Sequence, residues 1–429
     1  MLLWLIGCPR DEEPPAPPPV TPPTTTAPSW CETEGFGGAT PWDAVGPYGR
    51  HRRDLAEDFT VPLDDGSDWT LSERWTGCET LVFVSDAIAR SEADPTPAWT
   101  GDLAGLVDRS PDNVHYFFVT TASGSDADAA VAAVAAERDQ VVRDLGKKQA
   151  EWWGERLHVV AKPANRIGWV GEQLESPIGA GAFAIDRRQR VRGVGSLADV
   201  ARYDPSLSWP WENNLAYLAH DVAAYEVEAA SRDALAPDAT VVPWLTGEVV
   251  EQLVEGDVEL PPLDRYDTLE IEVEMGCPDP ELGEFGNCGA WDYLAGLSVQ
   301  GDDGEWIELA RFITTYHREA RWVVDASPML PLLQPGGTRR LKWEWAPYWN
   351  VQPTATTLSL RLSDRGTGRV PATATRVATG GPFGSAYNDG RTPVDVALPA
   401  DTVAAELVVI VTGHGAGTGT CAEFCDHQH

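Results

Sequence analysis

Long apolar runs are missing from this chain of 429 residues, and no stretch approaches the ~20 residues a helix needs to cross a bilayer. Positive charge is scarce, with 32 lysines and arginines against 66 acidic residues and a formal net charge of -34. A surface of that sign repels phosphate backbones and anionic bilayers, which argues against a nucleic-acid role. No internal repeat is visible. What the chain does have is 43% hydrophobic residues and 18 tryptophans, too much apolar surface for a disordered polypeptide. Its length exceeds one ordinary core of ~100–200 residues, so two or three domains are expected.

The N-terminus bears on the compartment. Leu2, Leu3, Trp4, Leu5 and Ile6 form an apolar stub, and Leu5-Ile6-Gly7-Cys8 reads as a bacterial lipobox, with Cys8 the lipidated residue. The basic n-region and longer h-region of a full signal are absent from the stub, so the true start is expected further upstream. Residues 11–29 are a stiff Pro/Thr tether of the kind that holds a folded body off a surface. The expected location is the cell envelope, lipid-anchored, or secreted, with the membrane met only through the anchor. Setting Cys8 aside leaves six cysteines: Cys31 and Cys78, Cys277 and Cys288, Cys421 and Cys425. An even number suits an oxidising compartment. Zinc competes at Cys421 and Cys425, which precede His427 and His429, but a zinc site usually shows two clearly spaced ligand pairs, so no metal and no cofactor are expected.

Residues 52–205 alternate strand and helix patterns. Leu81–Val84 and Val114–Val119 are short buried-strand runs, an Ala-rich stretch over 126–156 reads as one long helix, and Leu157–Val160, Ala182–Asp186 and Val191–Val194 are further strands. Such alternation argues an α/β unit around a central sheet. The order resembles the thioredoxin/peroxiredoxin-like fold, through Asp58-Phe59-Thr60-Val61-Pro62, Leu81–Val84 and Phe183-Ala184-Ile185-Asp186. Redox members carry a Cys directly after the first core strand. That place reads Ser85-Asp86-Ala87, and Cys78 precedes the strand and is expected to pair with Cys31. Thiol chemistry is therefore not expected, and the domain reads as a scaffold. A helix-like connector runs from Asn213 to Ala236. Beyond Tyr266 the period changes: Leu269, Ile271, Val273 and Met275 alternate with Glu270, Glu272 and Glu274, and Leu358, Leu360 and Leu362 alternate with Ser359, Arg361 and Ser363. Short strands broken by Gly, Pro and Asp turns argue a β-sandwich.

The chemistry-bearing segment is Cys277-Pro278-Asp279, a loop, then Cys288-Gly289-Ala290-Trp291-Asp292-Tyr293. A disulfide from Cys277 to Cys288 would close the loop and fix Asp292 at a rigid strand start, although an ordinary turn Asp beside a core Trp gives the same spacing. This segment resembles the peptide-N-glycosidase F family. Glu308–Tyr316, Trp322–Asp325, Met329–Leu333 and Cys421-Ala422-Glu423-Phe424-Cys425 match further motifs in order, over roughly residues 265–429.

The resemblance implies two eight-stranded jelly rolls and hydrolysis of the amide joining N-acetylglucosamine to asparagine in N-glycosylated proteins or glycopeptides. Asp292 matches the principal catalytic carboxylate, Glu423 the acid of a second disulfide loop between Cys421 and Cys425, and Glu344 a third acid. Trp291, Tyr293, Trp345 and His414 fall where substrate would bind. The family's Arg after the catalytic Asp is Tyr293 here. Asp292 would deprotonate water, Glu423 would bind the sugar and polarise the bridging water, and Glu344 would support it. The two tryptophans could present flat faces to the sugar or belong to the core.

The expected fold class is therefore multidomain, α/β plus all-β. The expected order is a lipoprotein signal (1–8), a tether (9–30), a thioredoxin-like domain (31–205), a connector helix (206–237), a first jelly roll (238–365) and the start of a second, truncated one (366–429). A non-catalytic glycan- or protein-binding envelope lipoprotein is the alternative function.

Overall fold

A computed structural model of the chain describes residues 2–6, 29–91, 94–97, 99–100, 103–177, 181–194, 215–367, 371–377, 389, 391–400, 402 and 404–410. The chain divides into two compact units. One holds the described residues from Ser29 to Ala230 together with Asp279–Asn287. The other holds the N-terminal stub, Ser231–Pro278 and the described residues from Cys288 onward. No helix among the described residues is long and apolar enough to cross a membrane.

The first unit is built on a five-stranded sheet of β1 (Thr80–Ser85), β2 (Val114–Val119), β3 (Leu157–Val159), β4 (Ala182–Ile185) and β5 (Val191–Gly193), ordered β5-β4-β1-β2-β3. β1 runs parallel to β2 and β2 to β3, while β4 is antiparallel to β1 and β5 to β4. All six residues of β1 are buried, as a strand covered on both faces must be. Phe83 stacks between Phe117 (4.5 Å) and Phe183 (4.8 Å), one ring from each neighbouring strand. The Ala-rich stretch is two helices, α1 (Ser125–Asp144) and α2 (Lys147–Gly154), rather than one. Leu145 and Gly146 take extended ψ values of 155° and 149°, and Gly146 caps the second helix. Beyond β1, Asp86 accepts bonds from the Thr121 amide (2.7 Å) and from the hydroxyls of Thr120 and Thr121, so this end of the sheet carries a locked carboxylate. Cys31 and Cys78 are joined as a disulfide.

The second unit takes in the end of α3 (Leu215–Asp233). It is an antiparallel sandwich of β6 (Thr240–Val250), β7 (Leu253–Leu260), β8 (Thr268–Gly276), β9 (Leu294–Gln300), β10 (Trp306–Ile313), β11 (Ala320–Asp325), β12 (Gly337–Glu344) and β13 (Thr354–Ser363). The sheet orders are β6-β13-β8-β11 and β7-β12-β9-β10, in which successive strands pass from sheet to sheet, except for the β9–β10 pair within one sheet, as in a jelly roll. Leu269, Ile271, Val273, Leu297, Leu341, Trp343, Leu358, Leu360 and Leu362 are wholly buried between the sheets. The alternating partners on β8 are less wet than their charge suggests. Glu270 is 7% exposed and meets Arg365 at 2.6 Å, Glu272 meets Arg361 and Arg232, and Glu274 meets Arg321 at 2.7 Å.

Asp267, just before β8, accepts bonds from the Arg365 amide (2.8 Å), the Thr367 amide (2.6 Å) and the hydroxyls of Thr268 and Thr367. Burial alone would raise its carboxyl, but these donors outweigh it and hold the pKa at about 2, below the usual 3.8. Because the folded pKa is depressed, the stabilisation is present above pH 3.8 and is lost as pH falls through about 2. Asp267→Asn is expected to cost about 2 kcal/mol at neutral pH and to flatten the acid limb, read from urea midpoints at several pH values.

Leu2–Ile6 forms the middle strand of a three-stranded sheet, antiparallel to Pro371–Arg376 on one side and Ala404–Val408 on the other. The stub read as the end of a signal thus has strand pairing. Cys8 and the tether up to Pro28 lie outside the described residues.

Candidate active site

β8 ends at Gly276, and Cys277 is bonded to Cys288 with the Cα atoms 4.4 Å apart, closing the intervening loop. The four residues after Cys288 carry the chain to Asp292, and β9 starts at Leu294. This short run is held by a cage of hydrogen bonds. The Ala290 amide donates to Gln352 Oε1 (2.6 Å), and a side chain at Gly289 would place its Cβ 2.7 Å from the same oxygen and push Gln352 away from it. Thr314 ties both sides of Asp292: its hydroxyl donates to the Trp291 carbonyl (2.9 Å) and accepts from the Tyr293 amide (2.7 Å), while its own amide donates to the Tyr293 carbonyl (2.9 Å). The His317 amide, in a left-handed turn at φ 46°, donates to the Gly289 carbonyl (2.7 Å). Asp292 is half-buried on this fixed backbone.

Next to Asp292 in sequence, Trp291 joins Gly289, Thr314, Thr315, Arg318 and Gln352 in walling a small open cleft, with Trp345 behind. Trp291 is 51% exposed and packs at 6.4 Å from Tyr316, so it can offer a face to a ligand. Tyr293 is half-buried, and its hydroxyl accepts from Asn350 Nδ2 (2.7 Å) while its ring meets Trp349 edge-on. Trp345 does not offer a stacking face. It is wholly buried, stacks on Trp343 and donates from Nε1 to the Gln352 carbonyl (2.9 Å), because the end of β12 turns it into the sandwich core. Glu344 points the other way, largely exposed, with Lys342 Nζ at 3.5 Å. It pairs in register with Gly296, so the four residues from Asp292 to Gly296 set it ~13 Å along the strand direction from the Asp292 backbone.

Glu423, His414, Cys421 and Cys425 lie outside the described residues, as do His427 and His429. Of the expected site residues, Asp292, Trp291 and Tyr293 therefore come together at one loop, with Glu344 on the neighbouring strand. Sequence reasoning missed Thr314, Gln352, Arg318 and the exposed pair Tyr348 and Trp349 (84% and 67%). Tyr348 and Trp349 alone left a signal, as aromatics in a turn-rich stretch after Glu344. The roles of Thr314 and Gln352 arise from pairing across 21 and 62 residues.

In structural terms this is a jelly-roll sandwich bearing a disulfide-stapled carboxylate loop at one end. Residues 383–429 match the family described as Peptide-N-glycosidase F, C terminal. Among solved structures the chain is similar to PNGase F, a glycosylasparaginase from Flavobacterium meningosepticum, at 21% identity over 29% of this chain and 42% of that one, with a TM-score of 0.24. It is also similar to PNGF-II, at 12% identity over 29% of this chain and 34% of that one, with a TM-score of 0.23. The chain spans less than half the length of either structure. No curated protein matches it.

Proposed function

We propose that the chain is a peptide-N-glycosidase F-like amidohydrolase that cleaves the amide between N-acetylglucosamine and asparagine in N-glycoproteins. The observation that carries the reading is Asp292, half-buried directly after Trp291 of the cleft wall and flanked on both sides by the bonds of Thr314. An amide is a weak electrophile, so hydrolysis needs a positioned base for water and a proton for the leaving nitrogen. Asp292 takes the proton from water as its oxygen bonds to the amide carbon. The C–N bond then breaks as the nitrogen takes that proton back from Asp292 and leaves as the glycosylamine, and the new carboxyl loses its proton to solvent, leaving the peptide a carboxylate. Glu423 holds the sugar and the bridging water, Glu344 supports it, and Trp291 stacks on the sugar face.

In this reading Cys8 carries the lipid anchor that holds the protein in the cell envelope, and the first unit is a thioredoxin-like scaffold without redox cysteines. Incubation with a denatured N-glycoprotein, followed by mass spectrometry, is expected to show released glycan and asparagine converted to aspartate. Asp292→Asn is expected to lower the rate ~10³-fold or more with the fold intact by circular dichroism. The exposed aromatics Trp291, Tyr348 and Trp349 also favour a second reading, a glycan-binding envelope lipoprotein without turnover. Glycan-array binding that survives Asp292→Asn, with no conversion by the wild type, would select it.

A further inference from the structure

Arg318 is the only charged residue among the described residues that wall the cleft beside Asp292. The rest are neutral: Met275, Gly276, the half-cystine Cys288, threonines, tryptophans and Gln352 among them. In a chain with a net charge of -34 that residue is positive, and it stands among carboxylates: Asp292 follows Trp291 directly, and Glu319 accepts from the Cys277 amide (3.2 Å). Its placement is also built. Arg318 comes directly after His317, whose left-handed backbone and bond to the Gly289 carbonyl pin the turn against the Asp292 loop. The Thr315 hydroxyl donates to the Arg318 carbonyl (2.8 Å), fixing the turn from its other side. The guanidinium side chain is half-buried, where a charge acts through less water than on an open surface.

We infer that Arg318 stabilises the oxygen that gains negative charge during amide hydrolysis, and this rests on the amidase reading above. When water attacks, the carbonyl π pair moves onto oxygen. When the C–N bond breaks, that oxygen becomes half of the aspartate carboxylate. Neither step moves a proton to or from Arg318, which supplies charge and N–H donors alone. A guanidinium carried on this pinned turn gives more to the oxyanion than to the neutral amide, so it acts on turnover rather than on substrate affinity. It also binds a carboxylate product better than the neutral amide it came from. The cleft should therefore discriminate an aspartyl peptide from its asparaginyl counterpart.

The test uses the full chain with an N-glycopeptide substrate, and with free aspartyl and asparaginyl peptides of the same sequence as inhibitors. Arg318→Gln is expected to lower kcat by ~10²–10³-fold with KM changed less than about threefold. Arg318→Lys should recover part of that loss, and guanidinium ion added to Arg318→Ala should raise its rate. The wild type should be inhibited more strongly by the aspartyl than by the asparaginyl peptide, and Arg318→Gln should lose the preference. Unchanged melting temperatures separate these effects from misfolding. If Arg318→Gln unfolds, Arg318→Lys and the wild-type peptide preference carry the test. An active wild type whose Arg318→Gln form keeps its kcat, or which shows no peptide preference, overturns the role of Arg318 alone. A wild type that releases no glycan overturns the amidase reading and this inference with it.

Discussion

Glu79→Ala is expected to destabilise the first unit by about 3–5 kcal/mol, enough to shift its urea midpoint visibly. Glu79 is 7% exposed at the start of β1 and gathers three partners. Arg156 Nη2 sits at 2.6 Å, His115 Nε2 at 3.0 Å, and the Thr76 hydroxyl donates at 2.9 Å. Burial raises the Glu79 carboxyl, but the hydrogen bond and charge of His115, the charge of Arg156 and the Thr76 hydroxyl outweigh it and leave the pKa below the usual value. Its contribution is therefore present at neutral pH and lost as pH falls through the depressed pKa. Removing the carboxylate leaves the charge of Arg156, 4% exposed, without its ion-pair partner and held by its bond to the Trp152 carbonyl (3.2 Å) and the Trp152 ring beneath it (3.6 Å). The double substitution Glu79→Leu with Arg156→Met should recover much of the loss, because the cost lies in leaving one charge alone. A single mutant as stable as the wild type would show that the network contributes nothing.

Trp345→Ala is expected to cost about 3–5 kcal/mol in the second unit, the range for emptying a buried aromatic site. The ring is wholly buried against Trp343, and its Nε1 bond reaches the Gln352 carbonyl, whose side chain in turn holds the Ala290 amide. The substitution should therefore slacken the Asp292 loop as well as the core. Trp345→Phe keeps most of the volume, so it should cost about 1 kcal/mol through the lost hydrogen bond. A sugar-stacking role predicts the opposite pattern, normal stability with weakened substrate binding. Denaturant unfolding monitored by far-ultraviolet circular dichroism separates the two.

Part of this architecture is legible in the sequence. The period-two runs at Leu269–Met275 and Leu358–Leu362 give β8 and β13 because one face of each is buried in the sandwich. The strands of the first unit are legible because continuous apolar runs have few alternatives in an α/β sheet. The break at Leu145 and Gly146 is harder to see, since one glycine inside a helical pattern is usually tolerated. Glu270 illustrates a different limit. Its sequence context reads as a wet face, and its burial depends on Arg365, 95 residues away. The same holds at the site. Asp292 stands out beside a cysteine-stapled loop, but whether the neighbouring tryptophans face ligand or core depends on where each strand ends. Trp291 turns out and Trp345 turns in, and no local spacing distinguishes them.

The arginine–glutamate rungs along β8 have a bearing on the solutions this molecule can tolerate. They commit Arg232, Arg321, Arg361 and Arg365 to the sandwich's own outer face, in partly buried pairs that dissolved ions reach poorly. The acidic surplus outside those pairs repels itself through open water, where added electrolyte shortens the reach of charge from ~10 Å at 0.1 M to ~3 Å at 1 M. Brine therefore relieves the strain between exposed carboxylates and leaves the rungs largely standing, so the fold is arranged to gain from ionic strength rather than to lose by it.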